Sequence, residues 1–134
     1  MLPSKKQRIA GWVLTILVGL FLIFSSTGKF IEWEGKEEMF AKMGFTIDMM
    51  FKIGVLEIAV AVLYLIPQSS FLGAILLTGY LGGAVVTHLR VDEPFFFPII
   101  LGILVWIGVA LRFPEIFSLA RGRHIGGVTD FGHG

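Results

Sequence analysis

The sequence predicts an all-α integral membrane protein, a bundle of four transmembrane helices, and three observations carry that prediction. The chain of 134 residues is 55% hydrophobic and only 16% charged, where soluble domains carry roughly a quarter charged residues. Its mean hydropathy is +0.84. The apolar residues also come in blocks separated by short polar stretches, rather than spread along an amphipathic period. A bilayer core of about 30 Å takes roughly 20 residues of helix, within a range of about 17 to 25, and four blocks reach or approach that length.

The first block, residues 9–27, follows Lys5, Lys6 and Arg8. A signal peptide shares that basic start, with Ser25 and Thr27 as small residues near a cleavage point. The apolar stretch exceeds a signal's core of about 7 to 15 residues, which favours a retained anchor. The second block, residues 47–66, has Thr46 as its N-cap and Asp48 in its first turn, where an acid suits the helix dipole. Pro67 ends it. The link Pro67-Gln68-Ser69-Ser70 is a tight turn, so the third block, residues 71–87, returns antiparallel beside the second. After His88 to Pro94 the fourth block runs over residues 95–111 and stops at Arg112, with Phe95, Phe96 and Phe97 seating it at the outer boundary.

These spans make one transmembrane domain over residues 1–112. The remainder, residues 113–134, is a glycine-rich tail with Gly122, Gly126, Gly127, Gly132 and Gly134, and it has too little apolar content to fold alone. The first loop differs from the others. Glu32 to Met43 mixes Trp33, Met39, Phe40 and Met43 with acids and lysines, which predicts a short interfacial helix. A solvated loop is the alternative, because the run is short for a stable helix.

Basic residues set the expected orientation. Lys5, Lys6, Arg8, Arg112, Arg121 and Arg123 fall on the side of the termini, against Lys29, Lys36, Lys42, Lys52 and Arg90 on the other. The leading basic cluster puts both termini in the cytoplasm and makes the chain a multi-pass protein of the plasma (inner) membrane.

Several chemistries drop out. A net charge of +1 gives no sign of nucleic acid as a partner. With no cysteine there is no thiolate nucleophile, disulfide exchange or cysteine-held metal cluster. His88 is the only histidine near a span, which argues against a bis-histidine haem. Neither a phosphate loop, a nucleophile elbow nor metal-ligand spacing appears. No catalytic residue, metal site or intrinsic cofactor is therefore expected.

Polar groups inside the blocks point to a site. An ionisable side chain at the bilayer centre costs about 2.5 to 3.5 kcal/mol on insertion scales, and Glu57 lies about 14 Å from the end of its span at a rise of about 1.5 Å per residue. Tyr80 reaches a similar depth on the third span, so its hydroxyl is placed to donate to the Glu57 carboxylate. Tyr80, Ala84 and His88 repeat every four residues along one stripe. Beside it, Gly79, Gly83 and Thr87 form a small-residue face suited to helix packing. Lys29 closes the first span, and with Thr87, His88 and Arg90 it frames the outer mouth of a polar column. Such a column would hold a polar head group or pass a proton. The alternative is structural: Glu57 hydrogen-bonded to Tyr80, with Lys29 and Arg90 snorkelling to the interface. Trp12, Tyr64 and Trp33 read as interface-belt residues and Trp106 as packing, which leaves the inner half of the bundle nearly pure hydrocarbon.

The run Leu56-Glu57-Ile58, the run Leu63-Tyr64-Leu65-Ile66-Pro67, the stretch from Leu72 to Ala84 and the close Thr87-His88-Leu89-Arg90 together resemble the DoxX-like family of small bacterial membrane proteins. The resemblance extends from about Ile9 to Arg112, includes Gly28-Lys29 and leaves out the tail. It implies a four-helix membrane bundle. The family's namesakes are linked to membrane subunits of a thiosulfate:quinone oxidoreductase, and other relatives to oxidative-stress complexes. The resemblance therefore implies an accessory membrane subunit. It extends to a quinone as ligand near Tyr80, His88 and Glu57, and to a soluble redox partner that supplies the electrons. A small transporter or proton path using Glu57 is the other reading, and four helices would then require a homo-oligomer, with Gly79 and Gly83 as one contact face.

Overall fold

A computed structural model of the chain describes residues 2–122. Within them lie six helices, α1 (Lys5–Ser26), α2 (Lys36–Lys42), α3 (Ile47–Leu65), α4 (Ser70–Arg90), α5 (Phe96–Arg112) and α6 (Glu115–Ala120). No strand occurs among the described residues. The helix ends follow from local chemistry. Ser4 Oγ accepts from the Gln7 N–H at 3.1 Å, and Thr46 Oγ1 accepts from the Met49 N–H at 3.1 Å, each satisfying an orphan donor of the first turn. Pro67 cannot continue α3, and the chain passes through a 3-10 turn, Pro67–Ser69, into α4. Pro98 sits in the first turn of α5, where a missing N–H breaks no helical bond.

The four apolar blocks appear as α1, α3, α4 and α5. Helix α4 runs to Arg90, so His88 and Arg90 are helical rather than part of a loop. The first loop does contain a short helix, α2, entered through Gly35 at φ 82° and left through Gly44 at φ 88°. The segment after α5 holds more order than its composition suggests, since Glu115–Ala120 is helical and the Phe117 N–H donates to the Pro114 carbonyl. Arg123, His124, Gly126, Gly127, Gly132, His133 and Gly134 lie outside the described residues.

Helix α1 packs against α3 and α5, and α4 packs against the same two. Neighbours run antiparallel. Gly11 near the start of α1 abuts Arg112 at the end of α5, while Phe21 meets Phe97 edge to face at the opposite ends. On α4, Thr78 accepts from the Trp106 indole at 2.7 Å. The α3–α4 hairpin closes at Gly73, where a side chain would run into the backbone of Leu63 and Tyr64. Leu22, Ala61, Tyr64, Leu77, Val105 and Val109 fill the centre.

The outward faces are as apolar as the centre. Leu17, Phe24, Val55, Leu72, Ile100 and Ile103 all stand exposed, more apolar surface than a water-soluble monomer shows. Two helical stretches, Lys5–Lys29 and Pro67–Arg90, are long and apolar enough to cross a membrane, and only 33% and 28% of their apolar windows are buried inside the protein. Helix α5 is apolar but has 17 residues, and α3 carries Asp48, Lys52 and Glu57.

One expectation fails in the core. The end of the molecule where α1 begins and α5 finishes is not pure hydrocarbon. Arg112 is only 4% exposed; its guanidinium donates to Ser70 Oγ and, at 3.4 Å, to the Gly108 carbonyl, and it lies 4.2 Å from the centre of the Trp12 ring. Tyr64, expected at a membrane interface, is fully buried and donates to the Val105 carbonyl at 2.9 Å. Helical side chains lean toward the N-terminus, which turns Arg112 inward over its own last turn. Gly11 leaves it room, since a side chain there would meet the Arg112 stem, and Gly108 likewise leaves room for the Tyr64 and Thr15 hydroxyls.

Candidate functional site

The opposite end holds a buried ion pair. A 3-10 turn, Thr27–Lys29, extends α1 and swings Lys29 toward α3. Gly54 permits the approach: a side chain there would strike Phe30 and the Lys29 stem. Glu57 lies three residues on, on the same face of α3, and its Oε2 receives Lys29 Nζ at 2.7 Å. Lys29 is 14% exposed and Glu57 2%. Tyr80 on α4, expected to donate to Glu57, lies near the same carboxylate, and the hydrogen bond the carboxylate accepts comes from Lys29. Lys29, expected at the outer mouth with Thr87 and His88, lines the pocket beside them and also reaches inward on its four-carbon stem to become the acid's counter-ion.

Above the pair lies a pocket of about 590 Å³. Lys29, Tyr80, Thr87 and His88 give it a polar edge, and Gly79 and Gly83 form part of its wall. Neither glycine has any atom within 4 Å of where a side chain would begin. No helix among the described residues packs on them, so within those residues they make space rather than a helix contact. Glu57 does not line the pocket; it lies behind Lys29. Arg90 also stands apart, exposed at the end of α4 and near Gly44.

The roof comes from the first loop. Trp33, Met39, Phe40 and Met43 cover the pocket, with Phe45 and Met50 beside them. Trp33 Nε1 donates to the Gly28 carbonyl at 2.9 Å, and the buried Lys36 donates to the Ile31 carbonyl at 2.8 Å, which fixes α2 over the end of α1. Lys42 reaches Glu93 at 3.3 Å across to the α4–α5 loop. Sequence reasoning missed this role. Its signal was the aromatic and methionine content of an otherwise charged loop, read as a face for lipid when the protein's own pocket lies beneath it.

Hydrogen bonds fix the polarity of the edge. His88 Nδ1 lies 2.7 Å from the Ala84 carbonyl. A carbonyl only accepts, so Nδ1 carries the proton and Nε2 offers a free lone pair in the neutral ring. Thr87 Oγ1 donates to the Gly83 carbonyl at 2.9 Å and keeps its lone pairs. Lys29 uses one N–H on Glu57 and retains two. The pocket thus presents donors at Lys29 and acceptors at His88 and Thr87 under an apolar roof. That combination holds the polar head of an otherwise apolar molecule. Among the described residues no group of histidines and carboxylates is arranged to hold a metal ion.

A model of the DoxX-like family matches residues 13–108. The chain belongs to the DoxX-like family. No curated protein and no solved structure matches it. In this DoxX-like protein the matched stretch contains the ion pair, the whole pocket lining and the first loop, and stops short of Arg112 and α6. Family and surface agree on a helical, membrane-associated protein.

Proposed function

We propose that this DoxX-like protein is a four-span protein of the plasma (inner) membrane, not catalytic by itself, that holds an amphipathic molecule in the pocket above Lys29 and Glu57. The observation that carries the reading is the pocket itself, apolar above and hydrogen-bonding at its edge, in a chain whose outward faces are hydrocarbon-like. Helices α3 and α5 complete the bundle with α1 and α4 because each packs between those two. The charges of α3 do not oppose that role: Glu57 is paired, and Asp48 and Lys52, 2.9 Å apart, lie in its first turns where a head-group region begins. Lys5, Lys6 and Arg8 ahead of α1 support cytoplasmic termini.

A quinone is the more specific reading. His88 Nε2 and the free N–H groups of Lys29 suit the hydroxyl and carbonyl oxygens of such a ring, and electrons would then come from a soluble partner. The ion pair gives a proton path less support, because a coupling acid must give up its counter-ion to take a proton.

The test uses Gly83→Leu, which fills open space in the pocket wall. Protein purified from native membranes is extracted, and its small molecules are compared by mass spectrometry between wild type and variant. The proposal expects an amphipathic molecule enriched with wild type and lost from Gly83→Leu, with the variant folded. A quinone among the enriched species selects the narrower reading. Identical extracts would remove the proposal.

A further inference from the structure

The pocket contains a cation, yet its charge is already cancelled. Lys29 is the only ammonium or guanidinium group lining it among the described residues. The carboxylate that cancels it sits behind, 2.7 Å from Nζ and 2% exposed. An anionic head group approaching Nζ would therefore meet the Glu57 charge directly beyond it, and in a weakly polar surrounding that repulsion is little screened. It would also give up its own hydration for half of an ion pair that is already satisfied. A neutral head group faces neither penalty. Its carbonyl or hydroxyl oxygen accepts from the two remaining Lys29 N–H groups, and a hydroxyl can donate to His88 Nε2, whose Nδ1 proton is committed to the Ala84 carbonyl.

We infer that the Lys29–Glu57 pair acts as a charge filter, so that the pocket takes neutral hydroxyl- or carbonyl-headed amphipathic molecules and rejects anionic ones. Glu57 is then a specificity-determining residue that never touches the ligand. The body of the ligand is selected far less sharply, because Met39, Met43 and Met50 supply flexible thioethers that repack around different shapes. The inference rests on the binding role proposed above and names the ligand class that such a site accepts.

A matched probe pair separates charge from shape: ω-bromododecanol and ω-bromododecanoate, at a pH where the acid is ionised. Trp33 lines the pocket, and bromine quenches indole fluorescence on contact. A background with Trp12→Phe and Trp106→Phe leaves Trp33 as the reporter, in discs of zwitterionic lipid. Wild type is expected to show saturable quenching by the alcohol, with affinity on the order of tenfold above that for the carboxylate. Glu57→Gln, which frees the Lys29 charge, should reverse the ratio by raising carboxylate affinity while leaving the alcohol nearly unchanged. A wild-type preference for the carboxylate, or an unchanged ratio in Glu57→Gln, would overturn the charge filter and leave the binding role standing. Saturable quenching by neither probe would overturn both. If Glu57→Gln fails to accumulate, the wild-type ratio still decides.

Discussion

Glu57 and Arg112 are two buried charges handled in different ways. Removing one partner of a buried pair strands the other, typically at a cost of about 3 to 5 kcal/mol. Lys29→Met strands a carboxylate that is 2% exposed, so it should lower the thermal midpoint sharply. Glu57→Gln should cost less, since the stranded ammonium faces the pocket and its amide partner can still accept. The double variant Lys29→Met/Glu57→Met should recover much of the loss, and a double-mutant cycle on thermal unfolding measures that coupling. Among the described residues Arg112 has no carboxylate within hydrogen-bonding distance and one of its guanidinium nitrogens, Nη1, has no hydrogen-bond partner, and its flat face lies on Trp12. Arg112→Lys should therefore destabilise more than Arg112→Met, because lysine keeps the buried charge but is more strongly hydrated and cannot stack as a plane. The reverse order of thermal midpoints would show that charge, and not stacking, holds that end together. Glu57 was legible in the sequence because an acid in an apolar block is costly. Its counter-ion was not, since the 3-10 turn that carries Lys29 inward depends on Gly54 of a different helix.

Helices α3 and α4 show how the same residue type does opposite work. Gly73 lies against the Tyr64 backbone, while Gly79 and Gly83 border empty space. Gly73→Ala should destabilise the hairpin by about 1 to 3 kcal/mol through overpacking. Gly83→Ala should be neutral or stabilising by up to about 1 kcal/mol, the difference in helix propensity. Thermal unfolding of the two variants side by side checks both signs. Sequence reasoning placed α1, α3, α4 and α5 because hydropathy, Thr46 and Pro67 mark them directly. It assigned Gly79 and Gly83 to helix packing because a glycine that accommodates a helix and one that leaves a void look alike until the neighbouring helix is in place. Helix α2 makes a related point. Phe40 is buried and lines the pocket, so Phe40→Ala should speed release of bound ligand more than it lowers stability. Dissociation of the brominated alcohol, followed at Trp33, measures that rate.

At the scale of the whole molecule, the two ends of the packed helices have different characters. One end gathers Arg112, Ser70, Tyr64 and Thr15 into a closed hydrogen-bonded cluster. The other opens the Lys29–Glu57 pair toward a roofed pocket. The sequence suggested an asymmetry with all the polar groups at one end; the second cluster was hidden because Arg112 read as a boundary marker and Tyr64 as a belt residue. Both faces of this account, a chain embedded in lipid and a pocket occupied within it, meet at Gly83. The chain has no cysteine, so Gly83→Cys introduces a single thiol in the pocket wall and Val86→Cys one at an exposed position of the same helix that does not line the pocket. The decisive measurement is the rate at which an apolar maleimide labels each thiol, first in native membranes and then after delipidated purification. The thiol at position 83 should be shielded in membranes and become reactive once its occupant is stripped, while the thiol at position 86 changes much less. Equal changes at the two positions would contradict an occupied pocket.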